Sequence, residues 1–323
     1  MNTITESNLR LTPNQSSQHT KRSDMAPTFT TIKSTFISGS VQCAATLRVP
    51  LDNQGEALPA ILMVHGWGGI QKGMTKHFYE RFLQLGYAVM TFDYPGWGDS
   101  AGLPRNRINP WQRVRDADAA LAHLKSSPLV DAGRIVLWGS SFGGGHVVDL
   151  AAQHPDLMGA IAQIPVLDGL SAVRAVPTLR MLRFLAYGCA DMLVGPVYMP
   201  VLAPPGKFAT FSSDGGYAAL LQSEKEDNHV YDNRVAARSV FNVAFYRPIK
   251  RIKDIRVPIL LIGAMQDSIA PFSERKIQKI SNPNVQTSLL DANHFTPYFK
   301  PVVDANLAIQ APFLTNLLKQ HNL

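Results

Sequence analysis

The stretch IVLWGSSFGGGHVVDLA, residues 135–151, sets a serine pair and four glycines between an apolar run and a helix-like segment. Gly139-Ser140-Ser141-Phe142-Gly143 has the form G-x-S-x-G. Between a strand and a helix this spacing makes a turn so tight that its central serine takes a strained backbone conformation. Its hydroxyl then stands above the sheet. The flanking glycines remove Cβ atoms where the strand and helix backbones crowd. Register selects Ser141 as the nucleophile, because Ser140 would need glycines at 138 and 142, where Trp138 and Phe142 stand.

A serine hydroxyl is a weak nucleophile at neutral pH and needs a base, with a carboxylate to orient that base. For an elbow of this kind the partners follow in the order serine, acid, histidine, each after a later strand. VPILLIGAMQDSIAP delivers Asp267 just past an apolar strand, and VQTSLLDANHF delivers His294 just past the last one. Other histidines fit less well. His146 falls within the helix after the serine, His321 in the terminal segment, and His65 before a glycine loop, where a structural role is expected. Asp291 is a rival acid, but it lies on the base's own loop, so Asp267 is preferred. HGWGG, residues 65–69, follows a strand as the glycine-rich motif of lipases and esterases does. It points to the backbone N–H groups of Trp67 and Phe142 as donors to an oxyanion.

These residues need a sheet to carry them. Short apolar runs at 59–65, 87–92, 134–139, 159–164, 257–263 and 285–290 read as strands, most of them continuously apolar, as expected when both faces are covered. Helical patterns lie between them. Phe78, Phe82 and Leu85 form one stripe closed by Gly86, and a second helix begins at Asn109-Pro110 with Val114, Ala117, Leu121 and Leu124 on one face. The alternation predicts an α/β fold with a mostly parallel central sheet and flanking helices, with antiparallel edge strands from about 30–50. Between 166 and 246 the alternation stops. A stretch that long is not a simple loop and is read as a helical cap inserted between the two parts of the core, 29–165 and 247–323. Its Phe184, Leu185, Tyr187, Met192, Tyr198 and Met199 suggest an apolar acyl pocket, the alternative for most of them being that they pack the cap on the sheet. Residues 1–28 are polar and lack a secretory apolar core, so they read as a disordered tail, with Met25 as an alternative start.

Composition narrows the function classes. The 323 residues are 46% hydrophobic and 17% charged, ordinary for a globular chain. No apolar run approaches the roughly 18 residues of a membrane span. Two cysteines, Cys43 and Cys189, give no disulfide framework and are read as small buried hydrophobes in a cytoplasmic protein. The formal charge is +7, but the basic residues are scattered and no nucleic-acid signature appears. RPIKRIKDIR, 247–256, is denser, with five basic residues. It reads as a solvated connector, or alternatively as a site for a phosphorylated acyl carrier through Arg247, Lys250, Arg251 and Lys253. Nothing resembles a metal site or dinucleotide fingerprint, so no cofactor is expected.

Taken together, HGWGG, FDYPGWGDS, WGSSFGGGH, GAMQDSIAP and DANHF, five motifs in order across about 35–320, resemble an α/β-hydrolase. The stretch from Trp138 to Gly169 is similar to the dienelactone-hydrolase-like and serine-aminopeptidase-like group, which includes polyketide acyltransferases. It departs from true dienelactone hydrolases, whose nucleophile is a cysteine, and from dehalogenases and epoxide hydrolases, whose nucleophile is an aspartate. The resemblance implies a serine hydrolase of carboxylic esters or thioesters acting on a small-molecule acyl substrate. An acyltransferase, a peptidase or amidase, and a non-catalytic ligand-binding protein are the alternatives. Substrate identity and oligomeric state are not legible.

Overall fold

The computed structural model describes residues 28–52, 55–73, 75–212 and 215–321. The tail expected over 1–28 lies outside them except for Thr28, as does Met25. The core begins with an antiparallel hairpin, β1 (Phe29–Ser38) and β2 (Val41–Pro50), where edge strands were expected. Then come β3 (Leu58–Val64), α1 (Lys76–Gln84), β4 (Ala88–Phe92), α2 (Pro110–Lys125), β5 (Val130–Ser140), α3 (Phe142–Gln153) and β6 (Gly159–Gln163). The long insertion holds α4 (Gly169–Arg174), α5 (Thr178–Val194), β7 (Tyr198–Pro200), α6 (Gly216–Asp227) and β8 (Arg234–Ala236). Two 3-10 segments, Ala237–Phe245 and Pro248–Asp254, lead back to β9 (Ile259–Ala264), α7 (Glu274–Gln278), β10 (Val285–Leu290) and α8 (Val302–His321).

Eight strands form one sheet in the order β1-β2-β4-β3-β5-β6-β9-β10, parallel from β4 to β10, with β2 antiparallel to β4. The order fixes where a site can form. From β3 the chain steps one way to β4, and from β5 it steps the other way to β6. Right-handed crossovers therefore put α1 on one face and α2 and α3 on the other. The connections leaving β3 and β5 diverge although the strands are neighbours, with Val64 paired to Gly139 at their carboxyl ends. Such a reversal opens a crevice at the strand ends, which is where open α/β sheets bind ligands.

The helices behave largely as their patterns require. In α2, Asn109 accepts a capping hydrogen bond from Gln112 N and Pro110 occupies the first turn, with Val114, Ala117, Leu121 and Leu124 buried. α1 buries Phe78, Phe82 and Leu83. Leu85, expected on that stripe, is its C-cap and only half-buried, because the helix stops one residue before it. Cys43 is buried in β2, but Cys189 is exposed on α5, contrary to expectation: its side of that helix faces away from the packing contacts.

The glycines at the turn after β5 explain their own presence. A Cβ on Gly143 would lie 2.1 Å from the Val64 carbonyl oxygen and 2.7 Å from that of His65, both fixed backbone. Gly143→Ala should therefore lower the unfolding free energy by roughly 3 kcal/mol or more. Gly133→Ala, in the same strand system but with nothing nearer than 3.4 Å, should leave it within about 0.5 kcal/mol. Urea unfolding of the two variants checks this, and equal losses would contradict it.

Candidate active site

Ser141 sits alone between β5 and α3 with φ 56° and ψ −122°. Its N–H donates to Gln163 O in β6, and its carbonyl accepts from Gly144 N and Val166 N, each at 3.0 Å. The side chain is thereby turned out over the strand ends. Its Oγ lies 2.8 Å from His294 Nε2. His294 Nδ1 lies 2.7 Å from Asp267 Oδ2, and Asp267 Oδ1 accepts from the backbone N–H groups of Ile269 and Ala270 at 2.9 and 2.8 Å. Asp267 follows β9 and His294 follows β10. Those two loops are tied by Met265 N to Leu290 O and Gln266 N to Ala292 O, both 2.9 Å.

Burial alone would raise the Asp267 carboxyl. The His294 ring and the two backbone donors outweigh it and hold that carboxyl below the usual carboxylate range. Asp291 does not compete: it is exposed and accepts a hydrogen bond from Gln266 Nε2, away from the imidazole. His146 is buried in α3 against the Tyr246 hydroxyl, and His321 ends α8. His65 is buried, with Nε2 3.0 Å from Phe92 O. Burial, aided by the nearby Arg113 charge, pushes it down to about 3, so it stays neutral and structural.

The loop after β3 lies against the elbow. A Cβ on Gly66 would meet Ser140 O at 2.9 Å, Ser141 Cβ at 3.0 Å and Phe142 N at 3.2 Å, so glycine leaves room in front of that amide. Among the described residues neither Trp67 N nor Phe142 N donates to a protein acceptor. Phe142 N is also the first amide of α3, where the helix's positive end faces outward.

Three parts of this framework escape a sequence reading. Arg113, buried in α2, donates to Gly66 O at 2.9 Å with its guanidinium over Tyr94 and Trp97. Burial lowers it to about 10, which leaves it charged at neutral pH. Asp93 accepts from Gln71 N, Gln71 Nε2 and Asp99 N, clamping the glycine loop to the FDYPGWGDS turn. Ser140 joins the Tyr298 hydroxyl and Gln163 Nε2, and Gln163 Oε1 accepts from Asn306 and Gln310 of α8. The polar residues on α8's inner face were the available signal for this last group, but no periodicity pairs them with Gln163.

A cavity of about 410 Å³ reaches Ser141 and Phe142 from beneath the inserted segment, lined by apolar side chains including Val176, Phe184, Leu185 and Phe241. Of the six insertion residues expected to line such a pocket, only Phe184 and Leu185 do. Tyr187 packs on Phe208, Met192 is exposed, Tyr198 lies under Arg234, and Met199 is buried in the core. Two of the five basic residues in 247–256 are paired with carboxylates. Arg247 makes a two-pronged pair with Asp168, and Arg251 pairs with Asp254. Among the described residues no cluster of three His, Cys, Asp or Glu could hold a metal ion, and no helix is long and apolar enough to cross a membrane.

Comparisons with known proteins identify the family. The family model for the alpha/beta hydrolase family matches residues 61–304, and the chain belongs to that family. It is 32% identical over 288 residues to the quorum-quenching protein AidA of Acinetobacter baumannii, covering 88% of this chain and 94% of that one. It is 25% identical to a thiohydrolase of Eupenicillium brefeldianum, over 71% of this chain and 76% of the relative. Among solved structures, the alpha/beta hydrolase GrgF from Penicillium superposes with a TM-score of 0.68 over 89% of this chain and 98% of that one, at 21% identity.

The depressed Asp267 carboxyl makes a stability prediction. A carboxyl held lower in the folded chain than in the unfolded one stabilises above its unfolded value, about 3.9, and that contribution is lost as pH falls through the folded value. Wild type should therefore lose more unfolding free energy than Asp267→Asn between pH 5 and pH 2. Urea titrations across that range measure it, and parallel curves would contradict the assignment.

Proposed function

We propose that the protein is a serine hydrolase of carboxylic esters or thioesters, working through an acyl-enzyme on Ser141. The single observation that carries this reading is the unbroken chain Ser141 Oγ, His294, Asp267, at 2.8 and 2.7 Å, beside two backbone amides with no acceptor among the described residues. Ser141 Oγ attacks the carbonyl carbon while its proton passes to His294 Nε2. The oxyanion that forms lies against Trp67 and Phe142 N–H, each such donor being worth about 3 kcal/mol. Asp267 accepts from Nδ1–H, fixes the tautomer that leaves Nε2 free, and offsets the imidazolium charge. Collapse breaks the bond to the leaving oxygen or sulfur, which takes the proton from Nε2. Water, deprotonated by the same nitrogen, then releases the acid and restores Ser141.

Residues 166–246 act, in this reading, as a cap whose apolar cavity holds the acyl chain. A second reading keeps the acyl-enzyme but passes the acyl group to an alcohol or amine; it is favoured by similarity to the polyketide transferases of Aspergillus fumigatus and a Penicillium species, at 24% and 30% identity. Product analysis with added alcohol separates the two by the ratio of new ester to free acid.

Ser141→Ala should abolish turnover of p-nitrophenyl esters and labelling by a fluorophosphonate. Ser140→Ala, which cuts the buried bonds to Tyr298 and Gln163, should keep labelling and lose stability, on the order of 1–3 kcal/mol. Comparable activity losses in both would remove Ser141 from its role. Asp267→Asn should lower kcat by about 10³-fold or more, and Asp291→Asn should stay within a few-fold of wild type. The reverse ranking would move the acid to Asp291.

A further inference from the structure

Ser141 borders two cavities that share only it, Trp67 and Phe211. The larger, of 410 Å³, is the apolar one beneath the insertion. The smaller, of about 110 Å³, lies on the other side, among the residues after β3, α6 and the His294 loop. Its walls are apolar in part, from Val201, Leu202 and Leu220, yet four of its residues carry buried polar atoms with no hydrogen-bond partner among the described residues: Thr75 Oγ1, Ser223 Oγ, Trp67 Nε1 and His65 Nδ1. Thr75 and Ser223 are 5% and 2% exposed. A buried hydroxyl left unpaired is costly, and native proteins seldom keep several together without something to bond them. Thr75 is telling, because it is the N-cap of α1, where threonine ordinarily turns its hydroxyl onto the helix's own N–H groups. Here the residue adopts helical backbone angles and makes no such cap.

The position of His294 assigns the two sides. The departing oxygen must take its proton from Nε2, so the leaving group lies on the side that His294 lines. His294 borders the small cavity and not the large one. We propose that the small cavity is a leaving-group pocket, in which Thr75, Ser223 and the Trp67 indole N–H recognise a compact polar alcohol while the acyl chain fills the large apolar cavity. This rests on the serine-hydrolase reading above. The size limits the group: a cavity of about 150 Å³ holds the six carbons of benzene, so this one takes about four to five non-hydrogen atoms. The chemistry limits it further. The two hydroxyls can donate or accept, and the indole can only donate, so the group must carry at least one strong acceptor such as an amide or ester carbonyl. Cleavage then runs as written above, with the carbonyl carbon moving from the alcohol oxygen to Ser141 Oγ and the alcohol leaving with the Nε2 proton.

Two octanoate esters of matched shape test this, that of glycolamide and that of isobutanol, each alcohol having five non-hydrogen atoms. Wild type should prefer the glycolamide ester by at least tenfold in kcat/KM. Thr75→Val and Ser223→Ala should each cut that ratio about threefold or more, and the double variant should bring it close to one. Thr75→Ser, which keeps a hydroxyl, should retain most of the preference. Neither Thr75→Val nor Ser223→Ala should lower the Tm, since each removes an unpaired buried hydroxyl, and fluorophosphonate labelling of Ser141 reports that the site is intact. A ratio near one in wild type, or a ratio the variants leave unmoved, would overturn the pocket assignment while the hydrolase reading stands. Absence of turnover of both esters, with Ser141 unlabelled, would overturn the hydrolase reading and this proposal with it.

Discussion

Ser141 holds a positive φ of 56° with a Cβ attached, a backbone state that costs on the order of 1–3 kcal/mol and persists only where its surroundings over-determine it. Four backbone hydrogen bonds do so here, from Ser141 N to β6 and from Gly144 N, Gly145 N and Val166 N to Ser141 O. The neighbouring glycines allow α3 to start against the end of β3, since Gly143 has no room for a Cβ beside Val64 O. Everything else at the site is placed relative to that turn. Because β3 and β5 are adjacent while their connections diverge, the glycine loop and the elbow emerge side by side. The loops after β9 and β10 close the crevice from the other flank.

Polar groups buried behind this turn make it rigid. Ser140, the neighbour of Ser141, faces inward to Tyr298 and Gln163, and α8 completes their hydrogen bonds through Asn306 and Gln310, with Gln310 also accepting from Trp138 Nε1. A network of this kind is stable only when its members are satisfied, and it links the serine turn to the segment just after His294. On the other side, Arg113 grips the carbonyl of Gly66 and Asp93 gathers the amides of the adjoining turn. Two adjacent serines thus divide their work by direction: one hydroxyl faces the cleft and the other anchors the sheet to the last helix.

The sequence reveals what is local and periodic. The strand carrying the elbow, the Asn109-Pro110 helix start and the register favouring Ser141 over Ser140 can all be read from spacing. So can the order of Asp267 and His294, because a nucleophile elbow dictates it. Contacts made between distant segments cannot. Arg113 lies between positions of an apolar helical stripe and has no local mark of its tie to Gly66. Phe184 and Leu185 face the large cavity whereas Met192, seven and eight positions on along the same helix, faces solvent, which composition alone does not reveal. The density of charge in 247–256 fits either a solvated connector or an anion site, and no local pattern shows that Arg247 pairs with Asp168, an aspartate 79 residues away.

The central claim is that charge developing on a carbonyl bound at Ser141 is met by the amides of Trp67 and Phe142. A crystal structure of the enzyme after reaction with an alkyl phosphonate tests it most directly, because the tetrahedral phosphorus mimics the intermediate. The account predicts phosphorus bonded to Ser141 Oγ, with its unsubstituted oxygen about 2.7–3.1 Å from both amide nitrogens. Phosphorus on another residue, or an oxygen turned away from both amides, would contradict it.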